Sequence, residues 1–289
     1  MLMKKILTFV CTLGILAMLG RADAATLYGA TSAGGPGELY ILNAANGAVI
    51  QNVGPLNDSI GANYPVTGLA FNPITGVLYG STGNSAAAAA AKLISINPVT
   101  GLVTVVGSFN AGPVNTGGTP STMADLEFDS AGNLFGVGSI GGPQLYSINL
   151  LTGQATLIGS SGLTSTTGGG LAISSGGTFF GTPTSTRFGT YNPGTGVYAN
   201  IANPVKPVGG GYGALSFDEN GVLYGLNVGS GSPPPTHLVT IDPITGFVTD
   251  LGASVTTLDA IAFQTVPEPS TMALLAVSGI LLGMHRRKL

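Results

Sequence analysis

Short runs in which apolar and polar residues alternate recur along most of this chain, joined in pairs by turns that open on Asn or Asp and close on Gly. The clearest is LYSINLLTGQATLIG, from Leu145 to Gly159, and related segments begin at Leu39, Leu93, Phe188 and Leu238. A period of two puts alternate side chains on one face of an extended strand, so each segment predicts a β-hairpin. The turn residues fit that reading. Asn or Asp bonds its own backbone two residues on, Pro presets φ at the next position, and Gly supplies the left-handed conformation that closes the loop. The repeated Asn-Pro-x-Thr-Gly strings are therefore turn chemistry.

A second hairpin recurs between these, at Gly68–Gly80, Leu126–Gly136, Leu171–Gly181 and Leu215–Gly225. If its strands are a and b, and those of the first hairpin c and d, the b-strand mark (Leu27, Leu78, Leu134, Phe179, Leu223) returns after 51, 56, 45 and 44 residues. Four strands at such periods predict a β-propeller. The pattern opens on b, c and d, runs through four full a-b-c-d sets, and ends on a lone a-type strand, Leu258 to Phe263. An all-β, five-bladed propeller follows, with the first and last segments sharing one blade so that the ring is held shut and sheet edges are hidden. The tyrosines of Leu-Tyr-Gly (Tyr28, Tyr79, Tyr224) repeat with the strands and are expected to pack between blades.

The ends depart from this pattern. Residues 1–24 have Lys4 and Lys5, an apolar run from Ile6 to Leu19, and Ala22-Asp23-Ala24 in the small-x-small form of a signal-peptide cleavage site. Residues 265–289 carry Pro267-Glu268-Pro269, an apolar run from Met272 to Met284, read as a short hydrophobic helix, and a tail with Arg286, Arg287 and Lys288. The basic cluster would stay on the cytoplasmic side of a membrane. These three parts in this order resemble the PEP-CTERM sorting signal of exported Gram-negative proteins. The resemblance implies transient residence in the inner membrane, recognition by an exosortase, cleavage near Pro267-Glu268-Pro269, and delivery to the cell surface or its exopolysaccharide matrix. The domain reading is thus signal peptide 1–24, propeller 25–264 and sorting segment 265–289.

Composition narrows the function. Only 7% of residues are charged, so the surface must be built largely from Ser, Thr, Asn, Gly and backbone. Between residues 25 and 264 three cations (Lys92, Arg187, Lys206) face ten carboxylates, a net −7 that disfavours a nucleic-acid partner. Cys11 lies in the leader, so the processed body would have no thiol for a disulfide, a zinc site or a nucleophile. His237 is the one histidine of the body, and no Gly-x-Ser-x-Gly stands between a strand and a helix.

Strand parity sends the tight a-b and c-d turns to one side of the ring. The long connections, 55–66, 81–91, 108–122, 160–167, 202–211 and 229–236, go to the other, where a ligand is expected because variable loops on a rigid scaffold carry most binding. Tyr64, Tyr212 and His237 are the ligand-binding candidates there. Asp125 and Asp259 begin inner strands, and Glu127 takes a position held by Ala70, Ala172, Ser216 and Ala262 in the others. A carboxylate in a small-residue slot calls for a partner. Asp125, Glu127 and Asp129 alternate along one strand and could offer oxygen ligands to Ca²⁺, although without EF-hand spacing; otherwise no cofactor is expected.

The first functional reading is a non-enzymatic surface or matrix protein that meets exopolysaccharide or another surface protein. The second is an extracellular carbohydrate-active hydrolase using Asp58, Asp125 and Asp259 at the channel mouth. The leader reading makes its own prediction: N-terminal sequencing of the exported protein should begin at Ala25, and an intact Met1 would contradict it.

Overall fold

The computed structural model describes residues 25–32, 35–83, 90–109, 122–138, 142–164 and 169–264. It contains five four-stranded antiparallel sheets. Blade 1 joins β20 (Leu258–Gln264) to β1 (Thr26–Thr31), β2 (Glu38–Leu42) and β3 (Val49–Pro55). Blade 2 holds β4 (Val66–Phe71), β5 (Leu78–Thr82), β6 (Lys92–Ile96) and β7 (Val103–Ser108). Blade 3 holds β8 (Met123–Phe128), β9 (Leu134–Gly138), β10 (Gln144–Ile148) and β11 (Ala155–Ser160). Blade 4 holds β12 (Gly170–Ile173), β13 (Phe179–Thr182), β14 (Phe188–Tyr191) and β15 (Tyr198–Ala202). Blade 5 holds β16 (Gly211–Phe217), β17 (Leu223–Val228), β18 (Thr236–Ile241) and β19 (Val248–Ala253). The expected five-bladed propeller is present. The signal and C-terminal helices of the sequence reading fall outside the described residues, and among those described no helix is long and apolar enough to cross a membrane.

Closure takes the expected form. β20 pairs antiparallel with β1, from Thr26 opposite Gln264 to Ala30 opposite Ala260, so the last strand completes the first blade. Inner strands then contact one another around the ring in the order β20, β4, β8, β12, β16 and back to β20.

The hairpin turns are built as their residues dictate. The side-chain oxygens of Asn43, Asn97, Asn149, Asn192 and Asp242 each accept the amide two residues on, at 2.8–2.9 Å. The closing glycines Gly47, Gly101, Gly153, Gly196 and Gly246 have φ between 69° and 72°, or 74° for Gly153. Their second requirement is contact. A Cβ on Gly153 would lie 2.8 Å from the backbone of Gly107 in blade 2, and one on Gly101 would lie 2.8 Å from the Pro55 carbonyl in blade 1. Gly196 meets Gly159, Gly246 meets Ala202, and Gly47 meets Leu238 and Gly252 across the closing junction. Each outer turn thus rests on the outer half of the preceding blade.

Aromatic pairs do the same nearer the axis. Tyr28 of β1 meets Phe71 of β4 at 5.4 Å between ring centroids, Tyr79 meets Phe128 at 5.6 Å, Phe180 meets Phe217 at 5.7 Å, and Tyr224 meets Phe263 at 4.8 Å. A b-strand ring therefore packs on an aromatic ring at the C-terminal end of the next inner strand, as the periodic tyrosines led us to expect. Where Ile173 ends β12, Phe135 packs instead on Phe179, at 4.9 Å.

These two glycine roles separate experimentally. Gly76 also has positive φ (69°) but open space at its Cβ position. Gly76→Ala should cost about 1 kcal/mol of backbone strain, and Gly153→Ala that amount plus overlap with blade 2, about 2–4 kcal/mol in all. Urea unfolding of both variants checks this, and equal losses would contradict the contact.

Candidate functional site

Each inner strand has one edge paired within its blade and the other turned toward the axis, where its amides need partners. The registers align Leu69, Leu126, Leu171, Leu215 and Ile261 as one ring, each opposite the Gly of its blade's b strand. The preceding ring is Gly68, Asp125, Gly170, Ala214 and Ala260. Its residues are small because neighbouring strands touch there: a Cβ on Gly68 would fall 2.6 Å from Asp125 Cα, and one on Gly170 2.7 Å from Leu215.

Asp125 is the exception, and its carboxylate takes the axis. Oδ2 accepts the amides of Leu171 at 2.9 Å and Leu215 at 3.1 Å, and Oδ1 accepts that of Leu126 at 2.9 Å. One fully buried side chain thus serves strands of three blades. Desolvation pushes its pKa well above the ordinary range, with the three amides opposing and the nearby Glu127 adding to the rise. Both oxygens are engaged, and this leaves no nucleophile or base for a substrate.

Glu127, two residues on, occupies different surroundings. It lines a cavity of about 500 Å³ at the end of the channel where β4, β8, β12 and β16 run into their tight turns. The walls are Phe71, Phe128, Phe180, Phe217 and Phe263, with Ser216 and Ala262 beside Glu127 and Asp129, Ser174, Asp218 and Glu219 at the turns. Oε1 accepts the Phe128 amide at 2.9 Å, and on this partly exposed residue Oε2 makes no hydrogen bond to another described residue. Burial raises the carboxyl to about 8, against the Phe128 hydrogen bond. At neutral pH the group is mostly protonated and can donate a hydrogen bond as well as accept one. The other turn acids are engaged: Asp129 accepts the amides of Ala131 and Asn133, Asp218 those of Asn220 and Val222, and Glu219 that of Ala25.

The acids expected to act together have different hydrogen-bond partners. Asp58 lies in the β3–β4 connection, where Oδ1 accepts Ile60 and Ala62 amides and Oδ2 the Tyr64 hydroxyl at 2.9 Å. Asp259, on β20, has Oδ1 within 2.5 Å of where a Gly213 Cβ would be, and burial lifts its carboxyl to about 6 against a hydrogen bond from Ser32. No residue is a partner of both Asp58 and Asp125. The Ca²⁺ reading loses its geometry as well: Asp125 and Asp129 spend their oxygens on amides, and among the described residues no group of three acidic, His or Cys side chains is placed to hold a metal.

Two aromatic candidates are also corrected. Tyr64 (7% exposed) belongs to the core between blades 1 and 2, and Tyr212 (1%) to that of blades 4 and 5, its hydroxyl donating to the Val205 carbonyl. Tyr212 falls in the column of Val66, Met123 and Leu258, all buried, so alignment alone could have placed it. His237 is partly exposed on β18, its Nδ1 3.0 Å from both oxygens of Asp250. Residues Ala22, Ala24, Pro267, Glu268, Pro269, Arg286 and Arg287 lie outside the described residues. The cavity itself was missed by the reading of long connections as the binding side; its signal was the run of small slot then aromatic that ends most inner strands.

Fold and terminal signal together define an exported repeat protein with a five-bladed propeller body. The chain belongs to the family described as a repeat of unknown function (DUF6923), which matches residues 58–233. The PEP-CTERM protein-sorting motif matches residues 265–288, as its resemblance implied, and indicates an exported protein of Gram-negative bacteria that is processed by an exosortase. No curated protein matches the chain. Similar solved structures include a protein of unknown function from Bacteroides caccae (11% identity, 84% of this chain and 100% of that one, TM-score 0.47). A putative gluconolactonase (13%, 83% and 82%, 0.48) and the PQQ-bound aldose sugar dehydrogenase of Streptomyces coelicolor (13%, 72% and 73%, 0.45) are also similar. The cofactor in the last belongs to that protein.

The raised carboxyls predict a pH dependence. Glu127 ordinarily titrates at 4.5 and in the fold at about 8, so the folded state holds its proton longer than the unfolded state. Its contribution is most favourable below pH 4.5 and is lost as pH rises to about 8, with a slope of up to ~1.4 kcal/mol per pH unit. Glu127→Ala, which restores the residue of β4, β12 and β20, should flatten urea-derived stability between pH 5 and 8. An unchanged slope would contradict the assignment.

Proposed function

We propose that the protein is an exported, non-enzymatic binding component of the cell surface or its extracellular matrix. Residues 1–24 are its signal peptide, 25–264 its working body, and 265–289 the segment, helical in the membrane, that an exosortase removes near Pro267-Glu268-Pro269. Exopolysaccharide or another surface protein is the partner. The observation that carries this reading is the engagement of the acids. Glycoside hydrolysis uses two carboxyl groups flanking one bond. Here Asp125 is consumed by three amides and Asp58 by its own loop, while the acids nearest Glu127 serve turns or a backbone amide. What is left is a rigid ring with a weakly charged surface, suited to holding a partner.

Among the described residues, a hydrolase is best served by Glu127, whose carboxyl combines a raised pKa with a free oxygen and a cavity. Co-sedimentation of the purified protein with exopolysaccharide from the producing cells, alongside an assay for reducing ends, separates the two. We expect co-sedimentation without release. Release that disappears in Glu127→Gln would overturn the non-enzymatic reading.

A further inference from the structure

The cavity at the turn end of the channel has a chemistry that selects its occupant. All the charged groups that line it are acids: Glu127 from β8, Asp129 from the β8–β9 turn, and Asp218 and Glu219 from the β16–β17 turn. β4, β12 and β20 contribute Phe71, Ile173 and Phe263, which do not titrate, and the remaining nearby acid, Asp125, has its own carboxyl raised by Glu127. The body's three cations lie toward the opposite end of the ring, at the start of β6, just before β14, and in the β15–β16 connection. These side chains repel an anion, and the Ala25 nitrogen, an ammonium once the leader is removed, is already taken by Glu219. Glu127 Oε2, without a protein partner, stands among phenyl rings whose faces also attract positive charge.

We infer that this cavity binds a small organic ammonium group, with Glu127 as its counter-ion and the surrounding Phe rings as its walls. About 500 Å³ is room for a sugar-sized molecule, so the ammonium can arrive on an amino-sugar residue or on a free amine. Hydroxyls of such a ligand have Ser216 and Ser174 within the same lining. The inference stands on the cavity and does not require the surface role proposed above.

Entry of the cation ionises Glu127, so binding releases a proton at neutral pH and strengthens with rising pH. Titration calorimetry of the purified protein with 2-aminoethanol, glucosamine and N-acetylglucosamine tests this. 2-Aminoethanol stays charged from pH 6 to 8, and its affinity should rise about fifty-fold over that interval if Glu127 titrates near 8. Glucosamine should bind and N-acetylglucosamine should not. Similar affinities for glucosamine and 2-aminoethanol would mark the amine alone as the ligand, whereas a clear preference for glucosamine would mark the amino sugar.

Glu127→Gln should abolish amine binding. Glu127→Ala, which suits a slot that holds Ala in three other blades, should do so in a protein with an intact unfolding transition. Binding of N-acetylglucosamine as tight as that of glucosamine, amine binding unchanged in either variant, or no amine binding at pH 8 would each overturn the inference.

Discussion

The pairing of β20 with β1 is the contact on which the rest of the body depends. A propeller blade buries its faces only against the blades beside it, so a ring that failed to close would expose two apolar faces and two open edges at once. Here the chain solves this by beginning one strand late and ending one strand over. Leu27, Ala30, Leu258, Ala260 and Ile261 are all buried along that seam. The outer turn of blade 1 is then held against blade 5, where Gly47 comes within 3.2 Å, at its Cβ position, of the Gly252 carbonyl. The aromatic pair Tyr224–Phe263 secures the same junction nearer the axis.

Closure creates a second problem, and its solution determines what the channel can do. Five inner edges converge, and their amides cannot all be left without partners in a space lined by Gly and Ala. Asp125 answers for three of them with one carboxylate. The side chain that looks most like a catalytic acid is therefore spent on architecture, and the group left over is Glu127. Its position two residues along the same strand puts it beyond the plug, in a pocket where no described protein donor reaches its second oxygen. The carboxyl that ties the inner strands together and the one that lines the cavity thus stand one step of the strand's alternation apart.

Much of this was legible in the chain. Hairpin turns, blade count, shared blade and interblade tyrosines all follow from period-two alternation and from residues with fixed conformational roles, such as Asn97 and Gly101. The column comparison also singled out Glu127 as a misfit among Ala70, Ala172, Ser216 and Ala262. What alternation does not encode is distance across the axis. It shows that Asp125 and Glu127 share a side of β8, but not that the first meets Leu171 and Leu215 amides while the second meets a cavity. Tyr64 and Tyr212 were misplaced for a related reason. A tyrosine beside a long connection reads as a surface aromatic, yet each hydroxyl finds a partner in Asp58 or Val205 while the ring stays in the core. Tight turns were credited only with joining strands, and here the four a-b turns also form the rim of a cavity.

Native-state hydrogen exchange on the amides of β1 and β20 tests the closure most directly. If the shared blade holds the ring, the hydrogen-bonded amides of β1 and β20 exchange only when the whole body unfolds, with the same opening free energy as those of β4, β8, β12 and β16. Opening of β20 at a lower free energy, while the other inner strands remained protected, would contradict that account.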